Sequence, residues 1–159
     1  VDADALNLIA DEADLGECVR QRRAPTLLTP HPLEAARLLG CKAAEVQADR
    51  VDAARQLAQR YGAIALLKGA GSVIAAPDGR YAINPTGSPA LATAGTGDVL
   101  AGMLGSFLAQ GLGDWDAALA ATWLHGRAAE DSGDAGLVAG EVAPRAADVL
   151  RRLRAGFSG

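Results

Sequence analysis

The stretch LATAGTGDVLAGML, Leu91 to Leu104, sets one carboxylate, Asp98, directly after Gly95, Thr96 and Gly97 and ahead of an apolar run with helical spacing. The first turn of a helix carries unpaired N–H groups and about half a positive charge, so it attracts anions. Glycines at 95 and 97 let a ligand approach the backbone without interference from a Cβ. If the anion is a phosphate, Asp98 is placed to take a proton from a hydroxyl that attacks it. The bland alternative is a tight turn at Gly95–Gly97 with Asp98 as a helix cap, and the stretch alone leaves both open.

Two further stretches carry chemistry-bearing groups. In LLKGAGS, Lys68 is followed by Gly69, Ala70, Gly71 and the hydroxyl of Ser72. Such a loop can hold the base, ribose or phosphate of a nucleotide through backbone groups, or Lys68 can be a snorkelling surface residue at a turn. In TPHPLE, His31 stands between Pro30 and Pro32, which restrict its backbone. A His presented this rigidly can contact a ligand or remain a solvated loop residue. His125, in WLHG, reads as structural, with Gly126 letting another element pack close. GAG, GTG and GLG are weak signals alone, and the sequence contains no GxGxxG, no GxxxxGK[ST], no GxSxG and no zinc spacing.

The elements that must position these groups alternate between strand-like and helix-like runs. TLLT (26–29) precedes a helix over 32–40 that Pro32 opens and Gly40 closes. The periodicity predicts one helix over 44–62 and a buried strand over 63–69. Residues 72–84 read as two strands around Pro77-Asp78-Gly79. Helices are predicted at about 97–110, 114–130 and 144–155, with Asp114 capping the second and Pro144 opening the third. The opening VDADALNLIA reads as the end of a strand entering a turn and helix, as though a fold were entered partway. This order implies an α/β layered, mostly parallel sheet with helices on both faces, built as a single domain over residues 1–159. Ligands on such sheets sit beyond the carboxyl ends of the strands, where all three stretches fall.

Composition narrows the classes. Half the residues are hydrophobic and only 4% aromatic, which suits close packing of small side chains. A net charge of −4 with mixed signs gives no footprint for nucleic acid or an anionic membrane. Cys18 and Cys41 form no CxxC, so the simplest setting is reducing and cytoplasmic. The apolar window Ala90–Ala109 contains Asp98 and several glycines, which argues against a membrane span.

Taken together, VDADALN (1–7), LLTPHPLEAARLLG (27–40), LLKGAGSVIAAPDG (66–79), ATAGTGDVLAGMLGSFLAQG (92–111) and AATWLHGRAAE (120–130) resemble the ribokinase-like superfamily. They are most similar to its ADP- or ATP-dependent NAD(P)H-hydrate dehydratases. The resemblance implies that hydrated NADH or NADPH is dehydrated, by phosphorylation of the ring hydroxyl and loss of phosphate. It implies Asp98 as base and substrate contact and His31 as a second substrate contact. Gly95, Thr96 and Gly97 would form an anion hole, and Lys68, Gly69, Ala70, Gly71, Ser72 and Gly97 would bind the nucleotide. ADP or ATP would be the phosphoryl donor with Mg²⁺, and no protein metal ligand is expected. A homo-oligomer is implied, and an epimerase domain in the full-length chain is one arrangement the family allows. Departures are Leu33, Ser72, Ala94 and TGSPALA (86–92). The chain also lacks the family's N-terminal part, so a sheet edge is expected to be exposed. The alternatives are a small-molecule kinase of the same superfamily, acting on a vitamin precursor or sugar, and a non-catalytic nucleotide-binding remnant.

Overall fold

The computed structural model describes residues 1–133 and 136–156. The chain runs α1 (Asp4–Asp11), α2 (Ala13–Arg20), β1 (Leu27–Leu28), α3 (Pro32–Leu39), α4 (Ala43–Ala48), α5 (Arg50–Tyr61), β2 (Ile64–Leu67), β3 (Val73–Ala75) and β4 (Tyr81–Ile83). A 3₁₀ turn (Pro89–Ala92) then leads to α6 (Thr96–Ala109), α7 (Asp114–Glu130) and α8 (Ala139–Gly156).

Successive side chains of a strand point to opposite faces of its sheet. All four residues of β2 are buried, so both faces of the sheet must be covered. Ala65 and Leu67 join Leu28, Leu6, Leu38 and Leu57 in a core formed with α1–α5. Ile64 and Leu66 join Leu100, Leu104, Ala118 and Ala121 in a core formed with α6 and α7. Each fully buried leucine contributes roughly 2 kcal/mol. Val142 and Ala146 of α8 close a smaller cluster with Ala128 and Ala129 of α7. The layered α/β architecture, with helices on both faces, therefore follows the sequence expectation.

The sheet order is β1-β2-β3-β4. The β1–β2 pair is parallel, with Leu27 opposite Ile64. β2–β3 and β3–β4 are antiparallel, with Leu66 opposite Ile74 and Ile74 opposite Ala82. Beyond β1, the Val1 amine donates to Leu27 O at 2.7 Å and Val1 O accepts from Thr29 N at 3.1 Å. These two bonds follow the pattern of a parallel ladder at the single residue Val1, and the first strand of the sheet is β1. At the other edge Tyr81 and Ile83 of β4 are 50% and 55% exposed. No helix among the described residues is long and apolar enough to cross a membrane.

Four boundaries differ from expectation. The helix expected over 44–62 is two helices, because Asp49 leaves helical geometry and its carboxylate accepts from Asp52 N at 2.9 Å, starting α5 afresh. The last helix begins at Ala139 and carries Pro144 inside it. Gly113, not Asp114, is the cap of α7, and the Asp114 carboxylate accepts instead from Trp115 N. α2 was not signalled by the spacing.

Candidate functional site

The loop after β2 is built tightly. Lys68 N donates to Pro30 O at 2.8 Å, tying this loop to the one that follows β1. Arg50, at the start of α5, donates to Ala70 O (3.1 Å) and Leu67 O (3.2 Å) and so holds the turn from behind. Gly69 has φ 151°, and a Cβ there would lie 2.5 Å from the Arg50 guanidinium, so only glycine allows this clasp. The Ser72 hydroxyl donates to Gly69 O at 3.1 Å and closes the turn. Lys68 Nζ pairs with Asp2 Oδ1 at 2.8 Å, with both side chains largely covered. Burial opposes the charge on Asp2, but the hydrogen bonds to Lys68, Thr29 and the Ala3 backbone, with the Coulombic attraction of Lys68, together outweigh it and hold the carboxyl below its ordinary range.

The start of α6 lies beside this loop. A Cβ on Gly97 would sit 3.5 Å from Lys68 Nζ. Gly95, with φ 88°, is the cap residue and supplies no side-chain acceptor. The buried Thr96 hydroxyl, 2.8 Å from Leu91 O and 2.9 Å from Thr93 O, anchors the turn. Among the described residues the N–H groups of Gly97 and Asp98 have no partner, and the Asp98 side chain is exposed. Asp98 accordingly does not cap the helix.

These two segments share a cavity of about 770 Å³. Lys68 to Ser72, Thr96 and Gly97 all line it. Gly95, Asp98 and His31 are not in its wall. Asp98 follows Gly97 directly, whereas His31 is engaged elsewhere. Its Nδ1 accepts from Leu33 N (3.1 Å) and Glu34 N (3.3 Å), and His31 N donates to Glu34 Oε2 at 2.8 Å. This reciprocal arrangement caps α3.

Of the rest of the wall, the sequence indicated the close packing at Gly126 but not the element that meets it. That element is the irregular segment 84–89 clasped onto α7. Asn84 Nδ2 donates to Thr86 O (2.9 Å) and the Thr86 hydroxyl donates to Trp123 O (2.9 Å). Gly87 N donates to Glu130 Oε1 at 2.9 Å. Gly126 permits the approach, because a Cβ there would lie 2.3 Å from Thr86 Oγ1. The cluster of Asn, Pro, Thr and Gly at 84–87 marks a loop in the sequence but not its partners. His125, also in the wall, sits 2.9 Å from Thr96 O through Nε2. Burial lowers its pKa, and the hydrogen bond to Thr96 only partly offsets this, so the ring is neutral at pH 7. Among the described residues no group of three or more His, Cys, Asp or Glu side chains could hold a metal ion.

Residues 1–152 match the family model described as NAD(P)H-hydrate dehydratase. The chain is 48% identical to the ADP-dependent (S)-NAD(P)H-hydrate dehydratase of Neisseria meningitidis serogroup B, over 96% of this chain and 53% of that protein. It is 45% identical to a bifunctional NAD(P)H-hydrate repair enzyme of Moorella thermoacetica, over 96% of this chain and 29% of that protein. Among solved structures it is similar to the ADP/ATP-dependent NAD(P)H-hydrate dehydratase of Bacillus subtilis, co-crystallized with ATP/Mg²⁺. The TM-score is 0.78 at 38% identity, covering 83% of this chain and 49% of that one. A ribokinase-like superfamily protein of Enterococcus faecalis, 23% identical with TM-score 0.78 over 96% of this chain and 51% of that one, shares the fold. The chain thus spans about half the length of its Neisseria relative and less than a third of the bifunctional one.

Proposed function

The chain belongs to the NAD(P)H-hydrate dehydratase family, and from that premise we propose that it carries the nucleotide-binding and catalytic half of an enzyme that dehydrates hydrated NADH or NADPH. The observation that supports this best is the pair of unpartnered N–H groups at Gly97 and Asp98. They stand at the positive end of a 14-residue helix, beside Lys68 and a cavity walled by the glycine-rich loop. Donors fixed in place before the reaction stabilise charge on a transferring phosphoryl group without reorganisation.

In this reading Lys68 to Ser72 and Gly97 cradle the nucleotide, and the backbone of Gly95–Gly97 faces its terminal phosphoryl group. The exposed Asp98 carboxylate accepts the proton of the ring hydroxyl as that oxygen forms a bond to phosphorus and the nucleotide's bridging P–O bond breaks. The ring C–O bond then breaks, phosphate leaves with the electron pair, the neighbouring carbon loses a proton, and the ring double bond returns. His31, at the head of α3, contacts the hydrated dinucleotide. ADP or ATP is the donor. Mg²⁺ would be held chiefly through the nucleotide's own phosphates. When bound, it would offset phosphate charge.

The reading extends to a cytoplasmic setting, in keeping with the free thiols of Cys18 and Cys41. It also extends to a homo-oligomer, to which the exposed apolar edge at Tyr81 and Ile83 lends support. An epimerase partner domain in the full-length chain is part of the same proposal. Hydrated NADH with ADP or ATP, followed at the absorbance of reduced nicotinamide, tests it in the full-length protein. Recovery is expected. Nucleotide-dependent phosphorylation of a different alcohol, with no recovery, would replace it by a kinase of the same fold.

A further inference from the structure

The buried contact between His125 and Thr96 lies on the far side of the peptide that supplies the Gly97 donor. A carbonyl oxygen only accepts hydrogen bonds, so the 2.9 Å contact requires the proton of the ring to be on Nε2. Among the described residues there is no cis peptide bond, and in a planar trans peptide the C=O and N–H point in opposite directions. Whatever fixes Thr96 O therefore fixes the Gly97 N–H that follows it. The Thr96 hydroxyl holds the same residue by its bonds to Leu91 O and Thr93 O. His125 in turn is set in α7, which is clasped by segment 84–89 through Thr86 and Trp123.

We propose that His125 is a positioning residue for nucleotide binding: through its Nε2–H bond to Thr96 O it aims the Gly97 N–H at the phosphate and strengthens it as a donor. Hydrogen bonding to one end of a peptide polarises the other, which makes the free N–H a better partner for an anion. A neutral ring serves this purpose, since it offers its one proton on the required nitrogen. This inference rests on the proposed nucleotide site and deepens it. It assigns to α7 a part in the chemistry beyond packing.

The test compares His125→Leu, which keeps bulk without a donor, with His125→Gln, whose amide can replace Nε2–H. ADP binding by the full-length protein is measured by calorimetry well below the melting temperature of each variant. The Leu variant should bind ADP about tenfold more weakly, the worth of one ordinary hydrogen bond. The Gln variant should recover to within about threefold of wild type. Equal affinity in wild type and the Leu variant, or equal losses in both variants, would overturn the inference and leave the nucleotide site intact. Failure of the wild type to bind ADP would overturn both. Should the Leu variant not fold, nitrogen-15 spectra of the wild type decide. The Gly97 amide must shift on ADP addition and His125 must carry its proton on Nε2; the absence of either result refutes the role.

Discussion

Gly126→Ala is the substitution for which helix propensity and the structure predict opposite signs. In the middle of a helix, replacing glycine by alanine ordinarily stabilises by about 1 kcal/mol. Here the new Cβ would meet Thr86 Oγ1 at 2.3 Å, Thr86 C at 2.7 Å and Thr86 O at 2.8 Å. The hydroxyl can rotate away, but the carbonyl carbon and oxygen are main chain. They must retreat by about 0.8 Å to restore an ordinary contact of about 3.5 Å. That movement pulls on the Thr86 Oγ1–Trp123 O, Asn84 Nδ2–Thr122 O and Gly87 N–Glu130 Oε1 bonds. Losing two of them costs about 2 kcal/mol, and the strain of overpacking adds about 1–3 kcal/mol. Set against the helix gain, the net is a loss of about 2–4 kcal/mol, which lowers the melting temperature by roughly 4–16 °C. Because segment 84–89 walls the cavity, ADP affinity should fall with it. Differential scanning calorimetry and ADP titration provide the readouts. Gly102→Ala on α6, where among the described residues no atom beyond the local helix backbone and chain neighbours lies within 4 Å of the new Cβ, is the control and should be neutral or stabilising. A Gly126→Ala protein as stable as wild type would refute the close approach on which the cavity wall depends.

Asp98→Asn should reduce recovery of reduced nicotinamide by at least about a thousandfold while ADP affinity changes less than about threefold; an unfolded variant or lost ADP binding would contradict the base assignment. Asp2 has a lowered pKa in the fold, so its contribution is fully present above the unfolded value and is lost as pH falls through the folded one. Asp2→Asn should therefore lower stability at pH 7 by on the order of 1 kcal/mol and flatten its decline with acid, as followed by chemical denaturation across the carboxylate range. His31→Ala should cost about 1 kcal/mol through the lost α3 cap, and His31→Asn should restore it. If the ring also contacts substrate, the Asn variant will regain stability yet keep a raised KM for hydrated NADH; normal KM in the Asn variant would confine His31 to capping.

What the sequence made legible is what is local. Lys68 to Ser72 form one turn after one strand, and Thr96 with Gly97 open one helix, so type and spacing sufficed to nominate them. The remaining wall depends on partners far along the chain. Asn84 and Thr86 reach α7 across 37 or 38 positions, and His125 reaches Thr96 across 29. Arg50 secures Ala70 from 20 residues away. Nothing in the type or neighbours of these residues discloses such pairings, which exist only once distant segments of the chain have come together. The break at Asp49 is a different kind of miss. Its signal is local, an Asp three residues ahead of Asp52, yet the apolar spacing runs on across it and reads as one helix.

An uncapped start is shared by α6 with α1, α2 and α7, the last of which also sets a glycine at the cap and an aspartate, Asp116, at the third position, and what sets α6 apart is its place beside Lys68 and the cavity. At α3 the third helical residue, Glu34, reaches back to accept from His31 N, and at α4 Glu45 does the same for Lys42 N. Near the start of α8, Glu141 accepts from Val138 N. Asp98 holds the corresponding third position of α6, and it accepts no such bond. The cap residue is a glycine with no side chain to offer, and two donors stand open. A carboxylate one methylene shorter than glutamate reaches back less easily, and glycine at the cap removes the other usual acceptor. Both choices leave the positive end of the helix unanswered by protein. Leaving donors open carries little cost while water can reach them, and it gains affinity only when an anion replaces that water. The acid at position 98 would repel a bare phosphate, so its presence there makes sense when a hydroxyl or a hydrated divalent cation stands between the two charges. If phosphate alone bound α6 as tightly in wild type as in Asp98→Asn, the carboxylate would have no electrostatic relation to the anion, and its pairing with these donors would lose its chemical meaning.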